Sequence, residues 1–176
     1  MDLFEAIEKR HSYRGDFTDA PVPRDDLRKI VQAGIQAPSG KNEQTTSFVI
    51  VDNPGLIGAM SDILDKPFCR TAKGMIVCCS DPRPVFIGMS FDAEDRAAAV
   101  ENMLLAITSF GYATVWLDGV LRVDQKAERI ANLLKIPEEL DVRIILPIGV
   151  PVDLCEQKQK LPFDRRAYFN AFGAAE

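Results

Sequence analysis

The chain has one histidine, His11, and four cysteines, Cys69, Cys78, Cys79 and Cys155, with no C-x-x-C pair among them. That leaves few ligands for a transition metal, and no zinc-type spacing is present. Cys78 and Cys79 are adjacent, and neighbours on a strand point to opposite faces, so they should not share one site. All four cysteines read as buried, reduced, structural residues. No Walker loop, G-x-G-x-x-G or G-x-S-x-G is found. Positive charge is also in deficit: 21 Lys and Arg against 26 Asp and Glu leave a net charge of −5. A surface of that sign argues against nucleic acid as the main partner. No apolar run approaches the roughly 20 residues of a membrane span, so no membrane partner is expected. Met1-Asp2-Leu3-Phe4-Glu5 lacks a basic region followed by an apolar stretch, so no secretory signal is expected and the cytoplasm is the expected compartment. Internal repeats, low-complexity tracts and domain linkers are absent too, which predicts a single domain over residues 1–176.

What remains is a chain that is 47% apolar, enough for a real core. Asp2 with Glu5 three residues on predicts a helix start, with Leu3, Phe4 and Ile7 as its apolar stripe and an end near Arg10. After Pro23, the spacing of Leu27, Ile30, Val31, Gly34 and Ile35 predicts a second helix, stopped by Pro38. Ser47–Val51 and Met75–Cys79 read as buried strands, with a helix opened by Asn53-Pro54 between them and an irregular crossing over 65–74. Pro82–Met89 reads as a loop. A long helix then runs from about Asp92 to Phe110. Its polar residues recur every seven positions, at Glu94/Asp95, Glu101/Asn102 and Thr108/Ser109. So narrow a polar stripe predicts burial on two sides, by the chain's own sheet and by a second subunit, the alternative being the central helix of a large monomeric core. Gly111 fits the position just after a helix end. Ala113–Leu117 reads as a strand running into Asp118-Gly119. A helix carrying Ala127, Ile130, Ala131 and Leu134 follows, and then a last strand, Arg143–Val150. From Pro151 the chain is polar and irregular, a tail that needs a surface to pack on. The pattern predicts an α+β sandwich, one sheet with helices on both faces.

Two segments carry candidate chemistry. Arg10-His11-Ser12-Tyr13-Arg14 offers two cations and a hydroxyl at the end of the first helix. Ala37-Pro38-Ser39-Gly40-Lys41-Asn42-Glu43-Gln44 offers small residues, backbone N–H groups and amides. Together they could hold a phosphate and the polar edge of a flat heterocycle, as two walls of one cofactor site. Each has a plain reading as well: cations are favourable at a helix C-terminus, and Ser and Asn form turns. Trp116 reads as a core residue.

In order and spacing these segments resemble the FMN-dependent nitroreductase family over essentially the whole chain. The basic R-R/H-S-x-R segment appears as Arg10–Arg14, and A-P-S-x-x-N-x-Q as Ala37–Gln44. A long helix ending in S-x-G appears as Ser109-Phe110-Gly111, preceded by Glu101-Asn102-Met103. L-P-x-G appears as Leu146–Gly149, with Lys158 and Lys160 before a Leu-Pro pair.

The resemblance implies a nitroreductase-like three-layer sandwich, with a central, mostly antiparallel sheet, that forms an entwined homodimer. Two FMN sites would lie at the interface, with the tail 151–176 packed on the partner. It implies that Arg10, Ser12 and Lys160 hold the FMN phosphate, with His11 close by and Lys158 a weaker contributor. Arg165 and Arg166 compete for that role. Arg14 would sit at the pyrimidine edge. Pro38, Ser39, Gly40 and Asn42 of the other subunit would cover the ring and ribityl chain. The turn Leu117-Asp118-Gly119 would offer a backbone N–H near flavin N5.

The implied activity is transfer of hydride from NADH or NADPH through the flavin to a nitroaromatic, quinone or similar small acceptor, with ping-pong kinetics. No catalytic side chain is singled out, because the flavin carries the chemistry. The alternative is a flavin-sequestering or sensing module of the same fold. Branches of the family with other flavin chemistry are a third possibility. Thr45-Thr46 and Gly149-Val150 depart from the family's frequent Pro-Trp and Gly-Tyr. Little chain is left between the third and the long helix for a covering insertion, which predicts an open pocket.

Overall fold

A computed structural model describes residues 1–173. The architecture is built around one strand whose seven residues are all buried. This strand, β2 (Gly74–Ser80), lies between β1 (Thr46–Val51) and β3 (Asp141–Ile148) in an antiparallel sheet of order β1-β2-β3. Thr46 faces Ser80 and Val51 faces Met75 across one side of β2. Gly74 faces Ile148 across the other. Alternation along β2 feeds two cores. Met75, Val77 and Cys79 enter one with Ile57, Met60 and Leu64 of α3 (Pro54–Leu64) and Ile130 of α5 (Lys126–Leu134). Ile76 and Cys78 enter the other with Leu27 and Ile30 of α2 (Arg24–Ile35) and Val100, Met103 and Ile107 of α4 (Asp92–Ser109). The expected α+β sandwich with helices on both faces is present. Cys78 and Cys79 fall in opposite cores, as alternation requires. A bulge opposite Cys78/Cys79 turns Val142 to the α3 side and Ile144 to the α2 side of the sheet.

Local chemistry explains most boundaries. Asp2 caps α1 (Leu3–Lys9) by accepting from Glu5 N at 2.9 Å, and Asn53 caps α3 by accepting from Leu56 N at 3.1 Å. Gly111 takes φ +80° directly after α4. Gly34 lets α2 and α4 approach closely: a Cβ there would lie 2.9 Å from Met103 and 3.2 Å from the Ala99 carbonyl oxygen.

Several expectations need correction. The stripe Leu3, Phe4 and Ile7 of α1 is not buried in the chain; it is 61%, 76% and 44% exposed. Residues 65–74 contain a 3₁₀ turn, Pro67–Thr71. Ala113–Leu117 is not a continuous strand. It meets β3 at two isolated bridges, Ala113–Gly149 and Leu117–Ile145. In that register Val115 falls opposite Pro147, which has no N–H to donate. The last strand ends at Ile148 rather than Val150. On α4, Asp95 is buried while Glu94 and Glu101 are exposed, so the polar stripe is not one surface. Within one chain α4 packs on α2, on α1 and on the sheet. Past Pro151 the tail is irregular apart from the 3₁₀ turn Phe163–Arg165, and Leu154, Leu161, Phe163, Phe169 and Phe172 are exposed.

Cys155 is exposed, which corrects the reading of all four cysteines as buried. Burial pushes the thiols of Cys69 and Cys78 up to about 12 and that of Cys79 up to about 11, from 9.0. The folded chain therefore holds thiol protons that the unfolded chain releases above about pH 9, so these groups cost stability as pH rises from 9 toward 12. Ellman's reagent should titrate one thiol per native chain and four after denaturation, and Cys155→Ser should remove the native signal. Denaturation midpoints should fall steadily above pH 9.

Candidate functional site

The Arg10–Arg14 segment leaves α1 in extended conformation and is fixed from below by Tyr13. That side chain is buried. Its hydroxyl donates to the Asp16 carbonyl at 2.6 Å and accepts from Val152 N at 3.1 Å and Asp153 N at 3.3 Å. Tyr13 N donates to the Thr114 carbonyl at 2.8 Å. With Tyr13 inward, Ser12 and Arg14 on either side are exposed. Arg10 Nε lies 3.6 Å from Glu101 Oε1 on α4, a half-exposed pair of small energetic weight. His11 Nδ1 donates to the Lys9 carbonyl at 2.9 Å. Nε2 is buried and unpartnered among the described residues, as is the Thr114 hydroxyl.

The tail reaches this segment through Gln157. Its Nε2 donates to the Arg10 carbonyl at 2.7 Å and the Ile7 carbonyl at 3.0 Å, two groups left open at the end of α1. The exposed Lys158 directly follows this anchor, with Lys160 two residues on. Sequence reading named the lysines and missed Gln157, which carries no charge to signal it. Arg165 and Arg166 are exposed, Arg165 within the last 3₁₀ turn and Arg166 directly after it.

The second segment follows α2. Pro38 and Asn42 are exposed, while Ser39 and Gly40 are half-buried. Gly40 N donates to Asp95 Oδ1 at 2.7 Å, and a Cβ on Gly40 would overlap the Phe91 ring. The loop borders a cleft of about 480 Å³ with Phe86, Phe91 and Ala98. Residues 85–89 form a small hairpin over one side of it, with Lys41 Nζ 4.3 Å from the Phe86 ring centroid. Thr45, where the family resemblance breaks, is buried and faces α4.

At the third segment, Leu117 N is already bonded to the Ile145 carbonyl at 3.1 Å, and the Asp118 carboxylate is held by Arg122 through two bonds of 2.8 Å. Gly119 opens the 3₁₀ turn Gly119–Arg122, so its N–H has no partner within that turn. A larger groove, about 800 Å³, lies between that turn, α5 and the start of β3 and is lined by none of the candidate site residues. Trp116 is half-buried against the α2–α4 core, as read.

The two candidate segments are anchored at different points of α4. One is tied to Glu101 and the other to Asp95, six residues apart on the helix. That spacing is about 9 Å along the helix and about 120° around it, so the two anchor points face different sides of α4. Among the described residues no cluster of His, Cys, Asp and Glu could hold a metal, and no helix is long and apolar enough to cross a membrane.

The sequence and the fold match known proteins. The Nitroreductase family model matches residues 7–73 and 64–150. A candidate NADH dehydrogenase/NAD(P)H nitroreductase of Archaeoglobus fulgidus is 32% identical over 153 residues, 86% of this chain and 87% of that protein. The solved structure of a nitroreductase family protein from Clostridium novyi NT is 30% identical, with TM-score 0.75 and 87% of each chain covered. An FMN-dependent nitroreductase from Clostridium difficile R20291 shares the fold at TM-score 0.82 and 24% identity, covering 97% of this chain and 100% of its own. The chain belongs to the nitroreductase family.

Gln157→Ala should free the tail at this site without touching the core. Tryptic cleavage after Lys158 and Lys160 should speed up by about tenfold, as expected for loss of two neutral hydrogen bonds that tether the tail, while the thermal midpoint stays within a few degrees.

Proposed function

We propose that the chain is an FMN-dependent oxidoreductase that takes hydride from NADH or NADPH and delivers electrons to a small acceptor such as a quinone or nitroaromatic. Family membership supports the reaction class, and the Archaeoglobus fulgidus relative is named for NAD(P)H. The observation that carries the site is the anchoring of its two walls on different sides of α4, together with apolar surface left open on α1 and the tail. A second copy that covers Leu3, Phe4 and Ile7 with a tail carrying Leu161, Phe163 and Phe169 would remove that surface from water and bring a loop to each basic segment. The proposed protein is thus a homodimer of single-domain chains with two equivalent sites, each tail packing on the other subunit.

The residues present fit the flavin. Arg10, Ser12 and Arg14 belong to the segment that follows α1, Lys158 and Lys160 follow the Gln157 that is tied to it, and of the four cations only Arg10 forms an ion pair among the described residues. Arg10, Ser12 and Lys160 would hold the phosphate through charge-assisted bonds, with Lys158 in support. His11, with its ring tied to Lys9, supports the segment from below. Arg14 would hold positive charge at the pyrimidine edge, where reduction places negative charge. Pro38, Ser39, Gly40 and Asn42 of the partner subunit would cover the ring and ribityl chain and exclude water from one face. At the 117–119 turn, where Leu117 N is already engaged, the N–H of Asp118 or Gly119 would be the donor to the N5 edge. When bound, FMN supplies the hydride-accepting and hydride-donating atom. Nucleotide and acceptor would use the same open face in turn.

Purified protein should be yellow or become so with FMN, and should bleach anaerobically with NADH or NADPH. Double-reciprocal plots should be parallel. A chain that cannot be loaded with FMN overturns the reading. Flavin that neither nucleotide reduces points instead to sequestration or sensing. Arg10→Ala should weaken FMN binding by roughly ten- to a hundredfold, the range for one charged hydrogen bond, without unfolding the chain. Light scattering should give a dimer, and Phe4→Asp should shift it toward a monomer that has lost its flavin.

A further inference from the structure

The loop Gly40–Thr45 has a backbone that its own sequence does not favour. Lys41, Asn42 and Gln44 all have positive φ, at 55°, 58° and 51°. Left-handed backbone costs an ordinary residue about 1–2 kcal/mol, less for Asn. Such a loop keeps one shape only where the surroundings impose it. Here both ends are held by one carboxylate. Asp95 Oδ1 accepts from Gly40 N at 2.7 Å, and Asp95 Oδ2 accepts from the Thr45 hydroxyl at 3.1 Å. Asp95 and Thr45 are each only 4% exposed. Phe91 packs under Gly40, one helical turn before Asp95, and leaves no room for a side chain there. Inside the loop, Gln44 N donates to Ser39 Oγ at 3.1 Å. Beyond it, Asp81 N donates to the Thr45 carbonyl at 2.9 Å, so the closing end is also fixed to the strand edge.

Asp95 has no cationic partner among the described residues, since the neighbouring Arg96 bonds Asp92 and Ser80. Its charge is met by an N–H and an O–H and by the N-terminal end of α4. A buried carboxylate whose donors both come from one loop is spent on that loop's shape. We infer that Asp95, acting through Gly40 and Thr45, is the positioning residue that locks the 39–45 loop in the conformation presented to the cofactor. Its functional consequence rests on the proposed reading of that loop as a flavin wall; the bracket itself does not. Asp95 touches neither cofactor nor acceptor in this scheme. It fixes the backbone that does.

The test measures hydrogen–deuterium exchange on the flavin-free chain and then flavin binding. Thr45→Val removes the hydroxyl at nearly constant volume and leaves one carboxylate oxygen buried without a donor. Amides of 40–44 should then exchange roughly ten- to a hundredfold faster, while amides of β2 and β3 keep wild-type rates. Thr45→Ser should restore protection. Asp95→Asn, a second variant should Thr45→Val fail to fold, keeps an acceptor for Gly40 and should loosen the loop by a smaller factor. In the loaded dimer, Thr45→Val should raise the FMN dissociation constant and reduce the visible circular dichroism of the bound flavin. Wild-type exchange at 40–44 in Thr45→Val would overturn the bracket, as would uniformly faster exchange with a lowered melting temperature, the mark of an ordinary packing residue. If wild-type protein binds no FMN, the proposed function falls, while the exchange data still decide the role of Asp95.

Discussion

Burying β2 on both faces is the constraint on which the rest of the fold depends. Every residue from Gly74 to Ser80 is inside, so the strand needs apolar cover above and below and paired neighbours on each side. Two helix pairs supply the cover, α2 with α4 and α3 with α5, and β1 and β3 supply the backbone partners. Gly74 opens the strand where Leu27 presses on it, which ties the start of the sheet to α2. The site is assembled on the outside of this framework, from segments that enter or leave its elements.

Helix α4 links the framework to the site. Its inner row, Ala99, Met103 and Ile107, is buried, while Glu101 meets Arg10 and Asp95 meets the loop. The helix thus anchors both candidate segments in fixed relation. Gln157 and Tyr13 do the complementary work at the far end of the chain, drawing the first residues of the tail against the basic segment.

Most elements were legible because their apolar spacing was clean: α2, α3, α5 and the central strands lie within a residue or two of their expected positions. The errors have specific causes. Ala113–Leu117 has strand composition, but strand pairing depends on the partner, and Pro147 was not weighed against it. The stripe on α1 was correctly apolar, yet the chain alone provides nothing to cover it. Asp95 was grouped with Glu94 by counting every seventh residue. Counting every fourth would have placed it in line with Ala99, Met103 and Ile107, and a carboxylate in a buried row signals a fixed partner. In the site, the cations and small residues stood out by type. Gln157 and Thr45 did not, because an amide or hydroxyl gains meaning only from the backbone group it reaches.

The interruption at Pro147 also bears on how the sheet ends. The Ala113–Leu117 segment shields the outer edge of β3 through bridges at its two extremities, with a position between them that cannot donate. A sheet edge finished in this way offers no unbroken row of amides to a passing extended chain, so growth of the sheet by an intruding strand is discouraged on that side.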